Sequence, residues 1–365
     1  MMINLLTIFS VYLLISNVIV IIECQDYSAY LNNRIFQPCM KPVCYEDVGC
    51  FQPFRLQAYV GLPPVAACPQ PPDELGVDFR VMRYNNSYEF FNLFGITPNS
   101  SVAYIIPGYR SEYTELFNME LVDGLLKHYD QIILVRWDLG ANPSLVFDIP
   151  VTRYNKFLAA ANSEAVGRII GNSIDYIVNN RSVNPDNITL VGHGLGGNTI
   201  HFAAEWIKDK YNLTIGKAVV LDPDAIPFYF SNKKISGKGD AKVVDVIHST
   251  FVAPVPVLGQ RFAGNTKTGA LTPTGDSDYF INFPDSWNDQ PGCDGLEFCS
   301  SSFSVMTYAA YLHGCTFETK PCSGNIFQRF TSKEIGLDST ETGPQGRICI
   351  KVSEKPIKKC PYKSS

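Results

Sequence analysis

Residues 188–197 read ITLVGHGLGG, an apolar run that enters a glycine-rich turn and leaves in helix-like sequence. Hydrolytic enzymes use this strand–turn–helix pattern to lift a serine off the end of a strand, because glycines around the turn let strand and helix crowd together. The lifted position here is Gly194, which has no side chain to attack an ester. The glycines alone also fit a plain tight turn, or a phosphate cradle at a helix N-terminus. The histidines available for proton transfer are His128, His193, His201, His248 and His313. Histidine is the side chain best suited to general-base work near neutral pH, but no spacing singles out one of the five. Zinc ligation finds little support, because the cysteines lie at x4, x5 and x6 intervals, not in paired CxxC.

The elements that must hold such a turn are legible around it. Strand-like SVAYIIPG (101–108) and QIILVRWD (131–138) flank a helix-like stretch at 113–128. Val166, Ile169, Ile170, Ile174, Ile177 and Val178 recur at helical spacing. ITLVG is followed by a helix over roughly 197–211, then by GKAVVLD (216–222) and KVVDVIH (242–248). Strand, turn, helix and strand within about 35 residues match a right-handed βαβ unit. The alternation predicts an α/β protein with a mostly parallel central sheet and helices on both faces, in a single large domain.

Composition narrows the function classes. Thirty basic against 35 acidic residues give a net charge of -5, without the basic block that nucleic-acid binding requires. The apolar run from Leu5 to Ile22 predicts a secretory signal over residues 1–24, so the mature chain begins at Gln25 and carries no integral membrane span. The competing reading of that run is an uncleaved anchor. With Cys24 removed, the eleven cysteines become ten, the even number of a disulfide framework in an extracellular protein. Sequons at Asn85, Asn99, Asn180, Asn187 and Asn212 suit the same compartment. Residues 25–72, rich in proline and cysteine, show little periodicity and are expected to be a disulfide-stapled segment. The main domain is expected over 73–340, followed by a tail over 341–365.

Further segments turn this pattern into a family resemblance. KPVCYEDVGCF (41–51), IIPGY (105–109), VGHGLGG (191–197), VLDPDAIPF (220–228), DAKVVDVIHS (240–249), PGC (291–293) and CSSSFS (299–304) occur in that order. Together they resemble the animal neutral lipases, the group that contains pancreatic lipase, lipoprotein lipase, insect venom phospholipases A1 and the non-catalytic yolk proteins of flies. The resemblance runs from about residue 41 to 325 and implies an α/β-hydrolase fold. It places the family nucleophile at Gly194, the acid at Asp222 and the base at Ser301, counting from Cys299 in the family's C-N/S-H. The oxyanion-hole donors fall on the backbone N–H groups of Tyr109 and Leu195, and Pro107 replaces the histidine of I-I-H-G. Asp222, preceding a proline at a strand end, also suits a purely structural role in strand termination.

A nucleophile and a base missing together imply a protein without catalysis, since an acid has nothing to orient when the imidazole is gone. The expected function is a secreted, lipase-like protein that binds lipid or another hydrophobic ligand, or serves as a yolk-type store. The alternative is an active carboxylic-ester hydrolase, a triacylglycerol lipase or phospholipase A1, with a different nucleophile. No cofactor or metal is expected. The resemblance further implies pairing of Cys44 with Cys50, Cys293 with Cys299 and Cys315 with Cys322, while Cys39, Cys68, Cys349 and Cys360 stay open. Only Asp294–Phe298 separate the lid cysteines, as in the phospholipase A1 branch, and no C-terminal β-sandwich is expected.

Overall fold

The computed structural model describes residues 39–56, 65–84, 88–110, 116–143, 152–229, 231–251, 269–285, 289–294, 296–322, 333–337 and 345–353. The signal sequence expected at 1–24 and the sequon at Asn85 lie outside them. An eleven-stranded sheet organises the molecule, in the order β14-β13-β15-β12-β11-β10-β9-β7-β8-β5-β6. Its parallel centre consists of β8 (Gln131–Arg136), β7 (Val102–Ile106), β9 (Ile188–His193), β10 (Lys217–Leu221), β11 (Val243–His248), β12 (Ser277–Ile281) and β15 (Gly346–Lys351). Antiparallel strands close both margins: β5 (Asp78–Tyr84) and β6 (Tyr88–Phe91) beside β8, and β13 (Phe317–Lys320) and β14 (Glu334–Ile335) beside β15.

The central strands are apolar at nearly every position because helices cover both faces of the sheet. In β7, Val102, Tyr104 and Ile106 enter one core while Ala103 and Ile105 enter the other. Ile170 and Ile174, from a helix over Thr152–Arg181, complete the first core together with Ile200 and Ala203 from a helix over Leu195–Tyr211. The second is filled by Leu121, Val122 and Leu125 from a helix over Leu116–Leu125 and by Phe303, Ala309 and Ala310 from one over Glu297–Leu312. In chain order these helices are α1 (Leu116–Leu125), α2 (Thr152–Arg181), α3 (Leu195–Tyr211) and α4 (Glu297–Leu312). The arrangement is an α/β-hydrolase fold.

Three expectations change. The N-terminal segment contains regular structure, two short antiparallel pairs formed by β1 (Val43–Tyr45) with β2 (Gly49–Phe51) and β3 (Phe54–Leu56) with β4 (Val65–Ala67). Three-residue strands are too short to show periodicity, and they are fixed by Cys44–Cys50, by Cys39–Cys68 and by Arg168, which donates to the carbonyls of Val48 and Cys50. Within the expected tail, the described residues include β15 (Gly346–Lys351), which pairs in parallel with β12 inside the sheet.

The third change is a disulfide. Cys322 joins Cys349, with 5.2 Å between Cα atoms, and Cys315 is disulfide-bonded elsewhere. Pairing of Cys315 with Cys322 fails because β13 runs extended between them, placing their Cα atoms roughly 20 Å apart at about 3.3 Å per residue. A disulfide tolerates at most about 7 Å. Register instead sets Lys320 opposite Cys349, which brings Cys322 to the right place. Cys293 joins Cys299.

Candidate functional site

The C-terminal edge of the parallel strands gathers the residues of interest. Gly194 follows β9 and caps α3 with φ 55° and ψ -120°. A side chain at positive φ costs about 1–2 kcal/mol, and glycine occupies that region freely. Its N–H donates to Leu221 O at 2.9 Å, and its carbonyl accepts from Asn198 at 3.3 Å. The turn is tight enough that a Cβ on Gly196 would lie 2.1 Å from the Ile106 carbonyl oxygen. A Cβ on Gly194 would meet nothing closer than 3.7 Å. The turn therefore retains the shape of a nucleophile elbow and has room for a side chain where none is present. Leu195, as the first residue of α3, has one of the N–H groups that a helix leaves without an internal acceptor.

Asp222 leaves β10 with φ 45° and is fully buried. Its Oδ1 accepts from Ser249 N at 3.0 Å and Thr250 N at 2.8 Å, and its Oδ2 from Thr250 Oγ1 at 2.7 Å and Ser301 Oγ at 2.6 Å. Burial pushes the carboxyl upward from its ordinary range, while the bonds from Ser301, Thr250 and Ser249 pull it down. Ser301 stands in the first turn of α4, whose start is pinned by the Cys293–Cys299 bridge. The sheet and α4 thus bring Asp222 and Ser301, 79 positions apart in sequence, together in a single bond.

His193 completes the arrangement. Its Nε2 lies 3.1 Å from Ser301 Oγ. Burial holds the imidazole below its ordinary value, against the charges of Asp222 and Asp224, which raise it. The direction of the protons decides what this chain of groups can do. Ser301 has one proton, and an ionised carboxylate can only accept it. With Asp222 ionised, His193 donates through Nε2–H and its lone pair does not face the hydroxyl. A general base for Ser301 would need the opposite wiring. The trio is a closed hydrogen-bond network, with a hydroxyl where the family's base would orient on its acid.

Asp224, buried and two residues past the acid, was not singled out by the sequence. Its Oδ1 pairs with Lys156 Nζ at 3.0 Å, and its Oδ2 is the atom 3.7 Å from a Cβ built on Gly194. The family motif D-P-A has alanine at this position, and that difference was the available signal. Nothing in the sequence marks Lys156, whose approach depends on how α2 packs. A carboxylate here opposes negative charge on a substrate oxygen. Two unit charges 4 Å apart interact by about 4 kcal/mol at an effective dielectric of about 20, and Lys156 offsets part of that. Tyr109 lies nearby, with Lys156 Nζ 5.8 Å and Arg110 Cζ 5.2 Å from its ring centroid. Burial raises the Tyr109 hydroxyl. The carbonyl of Pro107 accepts from the Trp137 side chain, through Nε1 at 2.9 Å, which anchors the segment although Pro107 itself offers no side-chain donor.

Of the other histidines, His248 Nε2 is 2.9 Å from Asp278 and its ring stacks on Phe280, so it is a core residue. His201 contacts Asp240 at 2.8 Å. Among the described residues, no group of three His, Cys, Asp or Glu side chains is placed to hold a metal ion.

The elbow, the acid at the end of the next strand and the helix-borne partner define an α/β-hydrolase centre whose nucleophile position has no side chain. The Lipase family model matches residues 96–304, and the chain belongs to that family. It is 26% identical over 265 residues to the inactive pancreatic lipase-related protein 1 of Canis lupus familiaris, covering 69% of this chain and 51% of that protein. It is 28% identical over 265 residues to phospholipase A1 2 of Vespa affinis, covering 67% and 71% of the two chains. Against the human pancreatic triacylglycerol lipase it is 26% identical over 264 residues, covering 69% and 51%. The chain spans about half the length of the pancreatic-type relatives it matches. Relatives with the name of an enzyme and relatives named as inactive both occur, so the site has to decide between them.

Proposed function

We propose that this is a secreted Lipase-family protein without hydrolytic activity, which uses the old cleft edge to bind a lipid or another hydrophobic ligand. The observation that supports it best is the hydrogen bond from Ser301 Oγ to Asp222, at 2.6 Å, beside a glycine at the nucleophile position. An acid engaged by a hydroxyl has no imidazole to hold in the correct tautomer. In a protease stripped of its triad, only about 10^3 to 10^4 of acceleration over water remains, from the oxyanion hole and binding. The disulfides support an extracellular setting.

The test uses the purified full chain. A fluorophosphonate probe should label no serine, and solvent extraction followed by mass spectrometry should release a co-purifying lipid. Stoichiometric labelling at one serine would overturn the loss of catalysis. Labelling at Ser301 would specifically favour the alternative, an ester hydrolase using that hydroxyl beside His193. A clean extract would reduce the reading to storage without a ligand.

A further inference from the structure

Four of the five sequons, those among the described residues, share one side of the molecule. In a parallel sheet every strand starts at one edge and ends at the other, and Gly194, Asp222 and Ser301 gather at the C-terminal edge, the edge of the proposed cleft. Asn99 lies three residues before β7, and Asn187 immediately precedes β9. Asn180 is in the last turn of α2, and Asn212 caps the C-terminus of α3 in a left-handed conformation. Helices that connect parallel strands run back toward the strand starts, so all four reach the N-terminal edge.

The loops bearing them touch one another. Asn99 N–H donates to the Arg181 carbonyl at 3.3 Å, and Gly216 N–H to the Pro185 carbonyl at 2.9 Å. All four asparagines are exposed. A six-residue strand such as β9 separates the two edges by about 20 Å at roughly 3.3 Å per residue. Besides these four and the sequon at Asn85, which lies outside the described residues, the remaining N-x-S/T triplet in the sequence is Asn142-Pro143-Ser144. It begins on the cleft side, where Arg110 Nε donates to Asn142 Oδ1 at 3.2 Å. Its central proline blocks the glycosylation reaction.

We infer that Asn99, Asn180, Asn187 and Asn212 carry N-linked oligosaccharides that cap the N-terminal edge of the sheet and leave the cleft edge as the face open to a partner. The donor is a lipid-diphosphate-linked oligosaccharide of the secretory lumen. The asparagine Nδ2 forms a bond to C1 of the reducing sugar, the C1–O bond to the diphosphate breaks with its electron pair, and Nδ2 gives up one proton. One N–H remains, so Asn180 keeps its donation to the Tyr176 carbonyl. Thr189, which completes the Asn187 sequon, is buried in β9 and accepts the Tyr129 hydroxyl at 2.9 Å. Modification of Asn187 therefore precedes closure of the sheet. The cleft edge retains exposed apolar side chains at Leu139, Leu296 and Phe298.

This inference rests on the secreted reading, and the experiment separates the two. The full chain is expressed in mammalian secretory cells and treated with peptide N-glycosidase F in 18O-water. Mass spectrometry should find labelled aspartate at all four positions and none at Asn142. Secreted protein unlabelled at any of the four, or labelled at Asn142, overturns the inference alone. Protein that stays in the cell unlabelled overturns both readings. Hydroxyl-radical footprinting before and after deglycosylation tests the cap. Pro185 and Tyr211 should gain labelling, with Leu139, Leu296 and Phe298 unchanged, and a gain at these three instead would overturn the open cleft face.

Discussion

At the residue scale, the proposed loss of catalysis is a change of hydrogen-bond partners around Asp222. Ser301 supplies a hydroxyl in place of an imidazole, bonded to Asp222 at 2.6 Å and lying 3.1 Å from His193 Nε2. Ser301→Ala removes both bonds and leaves a buried carboxylate and an imidazole short of a partner. Such a loss costs about 1–3 kcal/mol, so chemical denaturation should show the variant less stable by that amount. Asp224 adds a second obstacle, since a serine at 194 would find its carboxylate within reach of the hydroxyl. Gly194→Ser alone should therefore give no hydrolysis of a short-chain p-nitrophenyl ester. Gly194→Ser combined with Ser301→His should raise the rate above that of the single variant. Activity in the single variant would place the base elsewhere. Gly194 and Ser301 were legible because each sits inside a motif. His193 and Asp224 were not, because their role depends on which neighbour the fold delivers.

At the element scale, β9, the elbow and α3 act as one unit with little clearance. Gly196→Ala would push a Cβ into the Ile106 carbonyl at 2.1 Å. Its cost should exceed the 0.5–3 kcal/mol of about the average substitution, read as failure to accumulate soluble protein. Gly194→Ala, with space around its Cβ, should accumulate normally and lose only about 1–2 kcal/mol to positive φ. On the outer side of α3, burial lowers the His201 imidazole, but the bond and charge of Asp240, with Glu205, outweigh it and raise the group. A raised folded value stabilises the protein below the ordinary pKa of about 6.5, and the effect fades as pH rises through the folded value. The melting temperature of wild type minus that of His201→Gln should be largest below about pH 6.5 and shrink in alkaline buffer. Helix and strand placement was readable here from apolar spacing, whereas the start of α2 at Thr152 was not, since its first turns lack that spacing.

At the scale of the whole molecule, the last strand holds the margin of the sheet. β15 lies between β12 and β13 and is tied to the segment after β13 by Cys322–Cys349. Closing a loop with a sequence separation of 27 contributes about 3–4 kcal/mol in the chain-entropy account. Cys322→Ser should lower stability by that order, and nonreducing peptide mapping of the wild type should recover the Cys322–Cys349 pair. A Cys315–Cys322 peptide would contradict the register of β13 against β15. Sequence spacing misled on this pair because it measures distance along the chain, and an extended strand converts a short separation into a long one.

What the sequence determined by itself was the alternation of strands and helices, the elbow, and the residues at the three triad positions. Each is written in local spacing or in a contiguous motif. The tertiary structure decided which groups share hydrogen bonds, which cysteines meet and which edge four of the sequons share. Those outcomes depend on strand register and helix packing, which bring together residues such as Asp222, His193 and Ser301 from separate elements and leave no mark in the residues next to each.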